Sequence, residues 1–150
     1  MAEITIEEVT EFSDEIADTV RKLLPELSSS AVYDRELVRQ IVESEATHLY
    51  LARFDGQAAG IASLVVAPIP TGVRTHIEDV VVDEIARGHG LSRILLQHLI
   101  AEATDRFHAR TIDLTSRPTR EAANHLYQTS GFVKRDTNVY RYDPAAAPQK

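Results

Sequence analysis

Arg87-Gly88-His89-Gly90-Leu91-Ser92 carries the clearest chemical signal in the chain. It follows the apolar run Val80-Val81-Val82 and opens a stretch with Leu91, Ile94, Leu95 and Leu99 at helical spacing. A strand, a glycine turn and a helix start, in that order, make a site for anions. The first turn of a helix leaves backbone N–H groups unpaired and carries a partial positive charge. Glycine removes the Cβ atoms that would hold a phosphate away from those donors. Taken alone, the turn is also compatible with a plain helix start. A Walker-type phosphate loop is excluded, because no Gly-Lys-Ser or Gly-Lys-Thr follows the glycines. A dinucleotide fold fits poorly, since the turn comes late in the chain and no acidic residue closes a following strand.

The elements around the turn can be read from periodicity and punctuation. Ile4, Ile6 and Glu8 mark a short opening strand, and Phe12, Ile16, Val20, Leu23 and Leu24 predict a helix ending near Pro25. A second helix is expected over 34–44. A strand over 48–54, the Asp55-Gly56 turn and a return strand over 57–66 read as a hairpin ended by Pro68 and Pro70. Next come a strand over 73–82, the glycine turn, a helix to about His108, a strand over 111–115, and a helix with Pro118 in its first turn and Gly131 as its C-terminal glycine. Phe132–Lys134 and Val139–Tyr142 read as a closing antiparallel pair, and 144–150 as a disordered tail. The expectation is one mixed α/β (α+β) domain over 1–143.

Composition narrows the function further. The chain has 150 residues, 43% hydrophobic, 26% charged, with a formal net charge of −7 and no cysteine. Disulfides, thiolate metal sites and cysteine nucleophiles are thereby excluded. The acidic balance argues against nucleic-acid binding and mildly favours cationic partners such as amines. No apolar run approaches the roughly 20 residues of a membrane span, and Met1–Thr5 lacks the basic start of a signal peptide. A cytoplasmic protein with no membrane partner is expected. His89, His98, His108 and His125 are scattered without metal-ligand spacing and read as surface residues, so no metal site is expected.

Two segments together resemble the GNAT family of N-acetyltransferases. Val80 to Leu96 is similar to its acetyl-CoA motif, Arg/Gln-x-x-Gly-x-Gly/Ala, which falls on Arg87, Gly90 and Ser92; serine at the last position is the departure. Asn124, Tyr127 and Gly131-Phe132 match a later motif of the family, and the order of elements agrees over nearly the whole chain. The resemblance implies the GNAT fold, a central mixed, mostly antiparallel sheet flanked by four helices, with acetyl-CoA as co-substrate. It implies that the amides of Gly88, His89, Gly90, Leu91 and Ser92 hold the pyrophosphate, with Arg87 adding charge or fixing the turn. Val80, Val81 and Val82 would lie along the pantetheine arm and offer an N–H to the oxyanion, and Asn124 would bond that arm. Tyr127 would be the general acid at the sulfur.

The base is left among several groups. Strand alternation puts His76, Glu78 and Val80 on one face and Asp79 on the other unless a bulge intervenes. The family pattern favours Glu78, then His76, then Asp79, with water alone as a further option. Tyr127 also reads as a core tyrosine, and Asn124 as a purely structural hydrogen-bonder. Ser116 could start a helix or touch the ligand, and Arg93, Arg117 or Arg120 could meet the 3′-phosphate. The implied activity is acetyl transfer to the primary amine of a small polar molecule. Protein acetylation and a non-catalytic acyl-CoA-binding module are the alternatives. Family members often pair as homodimers.

Overall fold

The computed structural model describes residues 2–146. Their elements run β1 (Ile4–Glu8), α1 (Asp14–Leu27), α2 (Arg35–Glu43), β2 (Thr47–Phe54), β3 (Gln57–Ile69), β4 (Gly72–Val82), α3 (Leu91–Ala101), β5 (Thr111–Asp113) and α4 (Glu121–Thr129). The five strands form one sheet in the order β1-β2-β3-β4-β5, antiparallel except for the parallel β4–β5 pair. This is the mixed, mostly antiparallel α/β architecture expected from the sequence. The chain divides into two compact units, Met1–Ser116 with the sheet and three helices, and Arg117–Lys150 with α4.

Local chemistry sets most boundaries. Ser13 caps α1 by accepting from the Ile16 N–H at 3.2 Å, and Asp34 caps α2 by accepting from Glu36 and Leu37. Pro25 has no N–H for the helix ladder, and α1 stops two residues later at Leu27. Asp55 and Gly56 both take positive φ, 49° and 80°, as a tight two-residue hairpin turn requires. β3 runs past its expected end to Ile69, through Pro68. Val65 pairs with Thr47 at the start of β2 and the Val66 N–H still reaches the Ala46 carbonyl at 2.8 Å, but at Pro68 only β4 pairs with the strand, and one-sided pairing tolerates proline.

The sheet has two covered faces. Ile16 and Leu23 of α1 and Val38 of α2 pack with Leu49, Leu51, Ile61 and Val81. α3 packs on β3 and β4 and buries Leu91, Leu95, Leu96 and Leu99. The α-helical part of α3 is shorter than expected and passes into a wider π-type turn over Glu102–Arg106, where the Phe107 N–H reaches back to the Glu102 carbonyl.

That turn anchors a polar network. Tyr50, fully buried, donates to Glu102 at 2.9 Å, and Arg106 bridges Glu102 and Glu8. Nδ1 of His48 lies 2.7 Å from Glu8. His98, expected at the surface, is half-buried with its ring edge-on to Tyr50 at 5.3 Å. Burial opposes the charge on Glu8, but hydrogen bonds from His48 and Arg106 outweigh it and hold its pKa below the usual glutamate value. A carboxylate depressed in the folded state stabilises it above the unfolded pKa and loses that contribution as pH falls through the folded one. Glu8→Gln should therefore cost about 1 kcal/mol near neutrality and progressively less as pH falls through the folded-state pKa, as read by urea denaturation across an acid pH series.

The second unit departs from expectation at both ends. Pro118 does not start α4. It sits second in a turn closed by the Arg120 N–H on the Arg117 carbonyl at 3.0 Å, a position that suits proline's fixed φ. The helix begins at Glu121 with Arg120 as its cap residue, so Ser116 is no helix start either. Gly131 does terminate the helix, at φ 99°. The Phe132 N–H bonds the Tyr127 carbonyl and the Gly131 N–H the Gln128 carbonyl, a complete glycine-stopped end. The expected strands over Phe132–Lys134 and Val139–Tyr142 do not form. Val133, Val139, Tyr140 and Tyr142 are exposed, and an isolated alternating run has no ladder to join. Pro144–Ala146 makes one short 3-10 turn, and the rest of the expected tail, 147–150, lies outside the described residues.

Candidate active site

The glycine turn is built as a cradle. Asp83 follows β4 and caps a 3-10 turn over Glu84–Ala86, and Arg87 leads from it into Gly88 and Gly90, both in the left-handed region at φ 82° and 75°. Gly90 is the N-cap of α3 and brings no side chain to its first-turn amides. A Cβ added at Gly88 or Gly90 would meet no atom within 4 Å. The space over the turn is open, and the donors of Leu91 and Ser92 border it. That is the arrangement an anionic group needs at a helix start. The His89 ring packs against Phe54 at 4.7 Å, leaving its backbone to the turn.

Arg87 is already engaged. Its guanidinium contacts Glu26 of α1 at 2.7 Å and Glu84 at 3.6 Å. Lys22, also on α1, lies 2.8 Å from Asp83. This contact holds the Asp83 carboxyl below the usual aspartate pKa against the opposing effect of burial. Neither Lys22 nor Glu26 carries a local motif; Asp83, an aspartate just ahead of a helical turn, does have a capping signal in the sequence.

β4 reaches the cradle through a bulge. Glu78 pairs with Ser63 and Val81 with Ile61, so Asp79 and Val80 together oppose Ala62. Asp79 takes φ 53°, a left-handed conformation that aspartate tolerates better than most residues. The expected face of His76, Glu78 and Val80 is thereby corrected. His76 and Glu78 share a face and are exposed, but the inserted residue shifts the phase, and Val81 takes the place assigned to Val80. Val80 is half-exposed, while Val81 and Val82 are buried. The parallel ladder to β5 covers Arg74, Thr75 and His76 and ends there. From Ile77 onward, among the described residues, no strand pairs with that side of β4.

His76, Glu78, Val80–Val82 and the cradle thus belong to the first unit, and Asn124 and Tyr127 to the second, one turn apart on α4. The Asn124 side-chain amide donates to the Arg117 carbonyl at 3.0 Å, tying the helix to the turn before it. Tyr127 is half-buried, with its ring 6.1 Å from that of Phe132. Among the described residues, no cluster of His, Asp or Glu could hold a metal ion, and no helix is long and apolar enough to cross a membrane.

A mixed sheet whose fourth strand bulges and leads into a glycine cradle at a helix start defines an α/β protein with a place for an anionic group. The chain belongs to the acetyltransferase (GNAT) family, whose profile matches residues 13–132. Its fold is similar to that of a putative acetyltransferase from Agrobacterium tumefaciens str. C58, with TM-score 0.79 and 19% identity over 93% of this chain and 99% of that one. It is also similar to AAC(6')-Iy in complex with the bisubstrate analog CoA-S-monomethyl-acetylneamine, at TM-score 0.76 and 16% identity over 94% and 98%. A ribosomal-protein-alanine N-acetyltransferase from Brucella melitensis biovar Abortus 2308 aligns at TM-score 0.73 and 20% identity over 95% and 99%. Comparison with curated protein sequences gives no match.

Proposed function

We propose that this chain is an N-acetyltransferase that moves the acetyl group of acetyl-CoA to the primary amine of a small polar molecule, by direct attack in a ternary complex. The observation that carries the reading is the cradle: two left-handed glycines with open space above them, at the uncapped start of α3. The amides of Gly88 to Ser92 would hold the pyrophosphate. The side of β4 left free beyond His76 would accept the pantetheine arm as a partial strand, along Val80 to Val82. The neighbour bound to a CoA-containing analog supports acetyl-CoA as co-substrate.

The chemistry then needs three services. A primary amine with a pKa of about 10 is almost wholly protonated at neutral pH and must lose a proton. Glu78 takes that proton, directly or through water; His76, exposed on the same face, is the next candidate. The amine nitrogen bonds to the thioester carbon, and a backbone N–H of the Val80–Val82 segment stabilises the resulting oxyanion. The C–S bond breaks as the carbonyl reforms, and Tyr127, assigned on the family pattern, gives its hydroxyl proton to the departing sulfur. The polar surface made by Ser63, His76 and Glu78, together with a net charge of −7, favours a cationic, polar acceptor.

An acceptor panel of amino sugars, polyamines, amino acids and peptides tests the reading, with CoA release as readout. Transfer to a small polar amine is expected. Transfer to peptides alone would replace the acceptor class, and tight acetyl-CoA binding without any transfer would make the chain a binding module. With an accepted amine in hand, Glu78→Gln should flatten the rise of rate with pH on the acid side and lower kcat by roughly 10²-fold. An unaltered profile would move the base to His76 or water.

A further inference from the structure

We infer that Lys22 is a positioning residue for the cradle, acting from α1 through Asp83 on the turn that sets Gly88 to Ser92. Asp83 is where β4 becomes the turn. Its N–H donates to the Ala59 carbonyl at 2.7 Å, its carbonyl accepts from Ala86 at 3.0 Å, and its Oδ1 accepts from the Ile85 N–H at 3.2 Å. The remaining oxygen, Oδ2, lies 2.8 Å from Lys22 Nζ. The Asp83 side chain is only 11% exposed, so without Lys22 it would leave a nearly buried carboxylate uncompensated beside a site for anions.

One helical turn further along α1, Glu26 holds Arg87, so both ends of the segment 83–87 rest on the same helix face. The Lys22 side chain is 63% exposed and supplies charge more than packing. Neither α1 residue lies in the motif that marks the cradle. Two effects of Lys22 act in the same direction. It cancels the Asp83 charge near the phosphates, and it keeps the first-turn amides arranged before the ligand arrives, which lowers the ordering cost of binding.

The inference rests on the proposed role of the cradle in holding CoA phosphates, and the test separates the two. CoA affinity is measured by calorimetry, and amide hydrogen exchange over residues 85–92 is followed in ligand-free protein. The variants are Lys22→Met, Lys22→Arg, Asp83→Asn and the double Lys22→Met/Asp83→Asn. Lys22→Met should weaken CoA binding about five- to tenfold and speed exchange over 85–92, whereas Lys22→Arg should stay within about twofold of wild type. Asp83→Asn keeps an acceptor for the Ile85 N–H and should lie within about threefold, and adding Lys22→Met to it should cost nothing more. If Lys22→Met costs as much with Asn at position 83, Lys22 acts on the phosphates directly and the inference fails. Unchanged exchange in Lys22→Met also overturns it. Should wild type bind no CoA, the cradle reading falls, and the exchange data still decide whether Lys22 orders the turn.

Discussion

Gly90→Glu should abolish detectable acetyl-CoA binding and leave the fold in place. Gly90 sits at φ 75°, and a Cβ there would meet no protein atom within 4 Å. The left-handed conformation costs a larger residue about 1–2 kcal/mol, which a domain of this size can absorb. The effect on ligand has three parts acting in one direction. The side chain fills the space over the turn, its carboxylate repels phosphate, and it can bond the free amides of α3 that the ligand would use. A loss of at least about 100-fold, near 2.7 kcal/mol, is expected by calorimetry, with a melting curve close to wild type. Gly90→Asn separates conformation from charge, because asparagine tolerates the left-handed region and adds no anion. It should weaken binding far less, and unchanged binding in Gly90→Glu would remove the cradle as the phosphate site.

The parts legible in the sequence are those whose cause is local. Asp55-Gly56 announces its turn because both positions require positive φ, and the second helix opens at Asp34 as expected, its side chain accepting from the amides two and three residues on. Gly88 and Gly90 belong to the same class. What the sequence hides is set by residues distant along the chain. The bulge at Asp79 exists only relative to the register with Ala62 on β3, and alternation counted along β4 alone misplaces Val80 and Val81. Lys22 and Glu26 look like ordinary solvent-facing residues of an amphipathic helix until Asp83 and Arg87 are brought beside them. His48 reads as one more strand residue, yet it joins Glu8 in the network around Arg106. In the opposite direction, Val139 to Tyr142 carries a strand pattern, but a pattern supplies no partner edge.

Tyr127→Phe should lower kcat about 10- to 100-fold with little change in acetyl-CoA affinity or melting temperature. The geometry makes this substitution unusually clean. Tyr127 accepts the Phe132 N–H on its backbone carbonyl at the glycine-stopped end of α4, and its ring lies 6.1 Å from Phe132. Such an apolar contact commonly accompanies this kind of helix end. Phenylalanine keeps the carbonyl, the ring and the contact, and removes only the hydroxyl. A drop in rate therefore reports proton donation to the leaving sulfur, where a poorer route through water remains. The drop should also shrink for acyl donors whose thiol has a lower pKa, since a better leaving group needs less help. Tyr127→Ala removes ring and hydroxyl together and should lower the melting temperature as well as the rate. Full activity in Tyr127→Phe beside an unstable Tyr127→Ala would leave Tyr127 as the ring that closes α4, and the proton for the sulfur would come from elsewhere.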